Sequence, residues 1–192
     1  MSKESIVAKA LKCIDEIYPS ENTLNETFYP TEAFIDEMVR WVIDVAPIHE
    51  LQGGKMNFVD VYYKDKVAYI AQTFDWGRVI YVKFDDWVRP ATIINYDDIL
   101  YRQQMNKVLR GNPSRPIVVL TKDGIEAYTT NASGTTAVDA QHVPYNIENI
   151  PTRLEDLASW KLAEIVLMSM HDAQAASKCT SKVNEQLEIL AL

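Results

Sequence analysis

Residues 66–90 read KVAYIAQTFDWGRVIYVKFDDWVRP, residues 96–116 read YDDILYRQQMNKVLRGNPSRP, and residues 117–130 read IVVLTKDGIEAYTT. This stretch decides the fold class. β-branched and aromatic residues crowd its first part, as they do in strands. Arg78–Phe84 alternates, with Ile80, Val82 and Phe84 on one face and Val79, Tyr81 and Lys83 on the other, which predicts a half-buried strand. Trp87 and Pro90 close that strand, and Ile93 and Ile94 suit a brief pairing. Residues 97–109 read as a polar helix with Asp97 as N-cap and Gly111 as its stop. Ile117–Leu120 is a short apolar strand, Asp123-Gly124 is a type I′ hairpin signal, and residues 125–130 return. Upstream, residues 58–63 and 66–72 read as two strands around Lys64-Asp65. Downstream, residues 131–136 read as a flexible tip before a strand over residues 138–145.

Both flanks have helical periodicity. In residues 2–17, Val7, Leu11, Ile14 and Tyr18 repeat at three and four, with Ser2 as N-cap and Pro19 as stop. Residues 20–29 read as a polar loop. Pro30-Thr31 announces a second helix that Pro47 ends. It carries two adjacent apolar stripes: Phe34, Met38, Trp41 and Val45, then Ile35, Val39, Val42 and Ala46. A helix over residues 153–172 contains Ile165-Val166-Leu167-Met168, four apolar residues that face all ways round and are expected to be buried. A last helix, residues 175–190, aligns Cys179, Val183, Leu187 and Leu190, and the apolar end through Leu192 is expected to dock on something.

The expected fold is therefore α+β. Residues 1–50 and 151–192 form a helical bundle, and residues 51–150 form a small antiparallel β-rich insertion. The helical ends have more apolar surface than a single hairpin buries, so copies are expected to share it.

A chain of 192 residues suits one domain, or one domain with a helical appendage. With 47% hydrophobic and 24% charged residues it has enough apolar surface for a core. The net charge of −8 disfavours tight nucleic-acid binding. Residues 1–50 hold four Lys/Arg against ten Asp/Glu, residues 151–192 hold four against six, and the middle is balanced. The acidity has two readings: a solvated helical face, or a surface that repels phosphate so that DNA passes without sticking. Cys13 and Cys179 stand alone, with no spaced Cys/His set and no signal peptide, and read as reduced and intracellular. No apolar run approaches the roughly 18–20 residues of a membrane span. The Asn-x-Ser/Thr matches at Asn25 and Asn131 then read as chance.

Catalytic motifs do not emerge. His49, His142 and His171 have no carboxylate or Cys at ligand spacing. Asp85-Asp86 and Asp97-Asp98 are sequence neighbours, which point apart. Gly53-Gly54-Lys55 lacks the spacing of a phosphate loop, and no Ser sits in a nucleophile elbow. No catalytic, cofactor-binding or metal residue is expected. Trp41 and Trp160 read as core. Trp76 and Trp87, at sheet corners, read either as core lids or as interface anchors. The residues proposed for interfaces are Phe34, Met38, Trp41, Trp76, Trp87, Leu187, Leu190 and Leu192.

Four stretches carry a resemblance: EAFIDEMVRWVIDVAP, RVIYVKFDDWVRP, YRQQMNKVLRGNPSRPIVV and ASWKLAEIVLMSMHDAQAASKCTSKVNEQL. In this order, and with the segments between them covering about three-quarters of the chain, they resemble the head-to-tail connector adaptors of podovirus-type tailed phages, closest to those of crAss-like phages. The chain departs from that pattern at Phe74-Asp75-Trp76, where a Pro-Asp-type corner is usual. The resemblance implies a structural virion protein without an active site, made in the host cytoplasm. It implies a ring, a dodecamer, beneath the portal protein, which extends the DNA channel, serves DNA ejection and gives other connector or tail proteins a platform. A closed ring requires heterologous contacts. The acidic N-terminal half is expected to face the channel and the apolar C-terminus to dock on the portal. The competing expectation is a cytoplasmic interaction or assembly module, also without enzymatic activity.

Overall fold

The computed structural model describes residues 2–17, 30–56, 61–72, 75–128 and 138–190. Expectations for Tyr18, Pro19, the 20–29 loop, the start of the first strand, Phe74, the 131–136 tip and Leu192 lie outside the described residues. The chain divides into two compact units, one of residues 1–52 and 145–192 and the other of residues 53–144. Residues 145–150, assigned from sequence to the β insertion, fall in the helical unit. They include the 3-10 turn Ile147–Asn149, and the Tyr145 hydroxyl donates to Asp44 at 2.8 Å. The fold is α+β, with N- and C-terminal helices flanking a sheet domain.

In the helical unit, α1 is Lys3–Ile17, α2 Glu32–Val45, α4 Glu155–Ser169 and α5 Ala173–Leu190. Ser2 caps α1, its hydroxyl accepting from the Ser5 amide at 3.2 Å. Helix α4 is central and packs against α1, α2 and α5. That explains its near-continuous burial: Leu157, Ala158, Leu162, Ala163, Ile165, Val166 and Leu167 are all covered. Ser159 is buried too, its hydroxyl donating to the Glu155 carbonyl at 2.8 Å. Each fully buried Leu contributes about 1.5–3 kcal/mol. The expectation of burial all round fails at Met168, which is 56% exposed, because three neighbouring helices leave one side of α4 open. The helix also stops earlier than its apolar pattern. His171 adopts φ 59°, a left-handed C-terminal turn, and Asp172 begins α5 by accepting from the Ala175 amide at 2.9 Å.

In α2 the two apolar stripes separate. Ile35, Met38, Val39, Val42, Ile43 and Ala46 are buried, whereas Phe34 and Trp41 are half-buried and Val45 is exposed. Within one copy the helices thus cover most of the apolar surface that the sequence left over for neighbours. Charged links close the edges. Lys9 pairs with Asp156 and, at 3.6 Å, with Glu155; Lys3 pairs with Glu32; Arg153 pairs with Glu50 at 2.6 Å.

The β unit holds β1 Gly54–Lys55, β2 Val61–Lys64, β3 Val67–Ala71, β4 Arg78–Phe84, β5 Thr92–Asn95, α3 Ile99–Gln104, β6 Ile117–Leu120, β7 Gly124–Tyr128 and β8 Val138–Val143. Two sheets form, one in the order β1-β8-β4 and one in the order β2-β3-β7-β6-β5. Ala68, Ile70, Val79, Val82, Phe84, Val118, Ile125 and Ala140, drawn from both sheets, build one core. On the other face of the larger sheet, Val67, Ile94, Val119 and Tyr128 pack with Leu100 and Tyr101 of α3.

Local details depart from the sequence reading for identifiable reasons. A bulge between Val79 and Tyr81 shifts the alternation in β4, so Val79, not Ile80, joins the core. The insertion is not wholly antiparallel: β5 and β6 pair in parallel, Thr92 opposite Ile117. The primed turn is at Asp65-Lys66, with φ 51° and 64°, between Lys64 and its partner Val67. At Asp123-Gly124 only the glycine has positive φ, 151°, and a Cβ there would lie 2.0 Å from the Ile70 carbonyl oxygen. That glycine exists for close packing of β7 on β3. Gly53-Gly54, which lacks phosphate-loop spacing, leads into β1, with Gly54 paired to His142. The α3 helix is shorter than residues 97–109: it starts one residue later than expected, capped by Asp98, and it ends at Gln104. The Asp98 carboxylate accepts from the Leu100 amide at 2.8 Å.

Candidate functional site

The segment joining β5 to β6 combines rigidity with exposed apolar side chains. Its organiser is Gln104, which is completely buried and hydrogen-bonded at both ends of its side-chain amide. The Gln104 amide group donates to the Leu100 carbonyl at 3.0 Å, and its side-chain oxygen accepts from the Gly111 amide at 2.9 Å. Arg110 donates to the Gln104 carbonyl at 2.9 Å and to the Asp65 carbonyl at 2.9 Å, and its guanidinium lies 5.3 Å from the centre of the Tyr128 ring. Asn106 closes a further turn by accepting from the Val108 amide at 2.9 Å. Buried hydrogen bonds of this kind fix a loop in one conformation.

On this frame Ile99 is 76% and Val108 88% exposed, and Met105 and Leu109 are also open to solvent. Val88, 74% exposed, joins the segment through its amide, which donates to the Pro113 carbonyl at 3.0 Å. A single exposed apolar residue is ordinary; here five stand on one pinned segment and its neighbour, which makes this the candidate site. Beside them, Lys66, Lys107 and Arg110 border a cleft of about 440 Å³ together with Asp65 and Gly111.

Other concavities occur among the described residues, two of which bear on the argument. Tyr62, Tyr69, Tyr96, Tyr101, Lys122 and Glu126 line an open cleft of about 590 Å³ on the larger sheet. In the helical unit, Phe34, Glu37, Lys161, Glu164, Ile165 and Met168 line one of about 420 Å³ between α2 and α4. There the Lys161 ammonium pairs with Glu164 at 3.1 Å and sits 4.6 Å from the Trp41 ring.

The residues named from sequence for interfaces scatter. Met38 is completely covered in the helical core. Trp76 is buried, and His142 donates through Nδ1 to its carbonyl at 2.5 Å. Trp87 is buried against Phe84, ring centroids 4.7 Å apart. For both tryptophans the core-lid reading holds. Leu190 is buried, Leu187 half-buried, and Leu192 lies outside the described residues. Phe34 and Trp41 are half-buried, and Phe34 reaches the α2–α4 cleft. Sequence reasoning missed Ile99, Met105, Val108 and Leu109. Their signal was present: a helix read as polar that carries this many large apolar residues needs a partner for them.

The resolved titration shifts are directed away from reactivity. Burial pushes the Cys13 thiol up to about 11 and the Cys179 thiol up to about 12, the latter also through the charge of nearby Cys13. Burial, then the hydrogen bond to Glu126 at 2.6 Å, raises Tyr128. Among the described residues, no group of three His, Cys, Asp or Glu is placed to hold a metal ion, and no helix is long and apolar enough to cross a membrane. No protein-family model matches the chain, and no curated protein matches it in sequence.

Proposed function

We propose that this chain is a non-catalytic structural subunit that assembles into a ring and serves as a head-to-tail adaptor beneath the portal of a tailed phage. The observation that carries the reading is the pinned segment of residues 99–111, which holds Ile99, Met105, Val108 and Leu109 in solvent on a hydrogen-bonded frame. Ordering such a segment costs conformational entropy, and a rigid apolar display recovers it on binding a partner. The α+β architecture, a helical unit with an inserted β unit, is the one that the resemblance to connector adaptors implies. In this reading the ring, a dodecamer, binds the portal protein on one side and other connector or tail proteins on the other. DNA passes through without sequence-specific binding. The acidic helical unit supports this last point, because fixed negative charge disfavours phosphate adhesion.

The test is direct. Mass spectrometry of purified particles is expected to find the chain at a fixed ratio to the portal protein, and electron microscopy to place it as a ring at the portal vertex. Absence from particles, with the chain bound instead to a host-cell complex, overturns the adaptor in favour of a cytoplasmic assembly module.

A further inference from the structure

We infer that the pinned segment of residues 99–111 docks on the α2–α4 cleft of a second copy of this chain, in a head-to-tail contact. The inference rests on the ring reading and names the two surfaces that would build it.

Charge argues for the pairing. The helical unit carries 8 Lys/Arg against 17 Asp/Glu, and the β unit 11 against 10. Positive charge concentrates on the displayed segment. Arg102, Lys107 and Arg110 follow one another there, and Lys107 and Arg110 border a cleft with Lys66. The α2–α4 cleft is its complement. Phe34 and the exposed Met168 offer apolar surface, and Glu37, Glu164 and Lys161 line it; Lys161 is paired with Glu164 at 3.1 Å, which leaves the Glu37 carboxylate as the charge open to a cation of the second copy. Apolar side chains on both surfaces, with cations beside one and a carboxylate beside the other, suit a specific protein contact.

The geometry argues for head-to-tail. The two surfaces belong to different units and differ in chemistry, so neither is self-complementary. A contact between two different patches of identical chains is heterologous; repeated, it gives a ring where the rotation closes and an open filament where it does not, and the ring reading takes the closed case. Nucleic acid is the other ligand class that a cluster of cations suggests. The exposed Val108, Leu109 and Met105 beside the cations favour a protein, since backbone phosphate offers them nothing apolar to cover.

The experiment uses charge reversal in the full chain, with self-association measured by sedimentation equilibrium up to millimolar concentration. Lys107 and Glu37 are both exposed, so Lys107→Glu and Glu37→Lys are expected to leave the circular dichroism spectrum unchanged. Each variant alone is expected to associate about tenfold more weakly than wild type, or worse. An equimolar mixture of the two is expected to recover wild-type association, because alternating copies restore an opposite-charge pair at every contact. Native mass spectrometry should then show equal numbers of each variant in every assembly. Unchanged association of the single variants overturns the contact and leaves the ring to other surfaces. A wild-type chain that stays monomeric overturns the contact too, while the particle test judges the adaptor reading separately. Capture of duplex DNA by wild type that Lys107→Glu abolishes, without self-association, overturns it in favour of nucleic acid.

Discussion

Helix α4 and the segment of residues 99–111 are both rich in apolar residues, and they dispose of them in opposite ways. Helix α4 has neighbours on three sides and hides all but Met168 of its run Ile165-Val166-Leu167-Met168. The other segment lies over a sheet face, commits Leu100 and Tyr101 to it, and turns Ile99, Met105, Val108 and Leu109 outward. What separates them is the number of surrounding elements, not composition. In α4 the backbone is held by packing; in the segment it is held by polar bonds from Gln104 and Arg110.

That contrast can be broken by mutation. The largest effect is expected inside α4: Leu162→Ala, at a fully buried site, should cost about 2–5 kcal/mol in urea unfolding. A cost below that range would mean α4 is looser than its burial implies. Gln104→Ala should destabilise by about 1–3 kcal/mol, since it strips the Gly111 amide of its acceptor, and amide exchange at Gly111 should accelerate. Unchanged exchange there would remove the frame from the argument. Asp98→Ala should cost about 1 kcal/mol through loss of the α3 cap, with Asp97→Ala as the near-silent control.

The two thiols give a pH test of the helical side. Their folded pKa values lie above the ordinary thiol value, so the folded state holds these protons more tightly than the unfolded one. Their stabilisation is complete below about pH 8.5 and is lost as pH rises towards about 11 and 12. A Cys13→Ala/Cys179→Ala double variant should show a shallower decline in unfolding free energy over that alkaline window. An equally steep decline would assign it to other groups. The smallest effect on stability is expected at Val108→Ser, within about 0.5 kcal/mol, because its side chain is already in water. A larger loss would show that Val108 supports the fold and is not displayed.

Sequence periodicity made the helices legible. The cap at Ser2 and the stop before Pro47 follow from local chemistry, and local chemistry is what a sequence displays. Non-local pairing was hidden. Nothing in TIIN or IVVL says that they run parallel, because parallel and antiparallel apolar strands look alike as short runs. The bulge at Ile80 was equally silent, since an alternation of apolar residues survives a one-residue shift on paper. At the candidate site, aromatic residues drew attention to Trp76 and Trp87 because tryptophan is common both in cores and at contacts, and burial decided for the core. Val108 and Leu109 stood in the sequence as large apolar residues in a segment read as polar, but their exposure is a property of the tertiary fold.

The parallel pairing of β5 with β6 has a last implication. Two strands that run the same way must be joined by a crossover, and here the crossover is the displayed segment itself. Its ends are clamped at Asn95 and Ile117 by the strand ladder, whose register depends on inward and outward alternation and not on the length of what lies between. Within the segment Leu100, Tyr101, Gln104 and Arg110 are committed to the sheet and to the frame, whereas Ile99, Met105, Val108 and Leu109 are not, so the outward positions can be exchanged while the sheet beneath keeps its alignment.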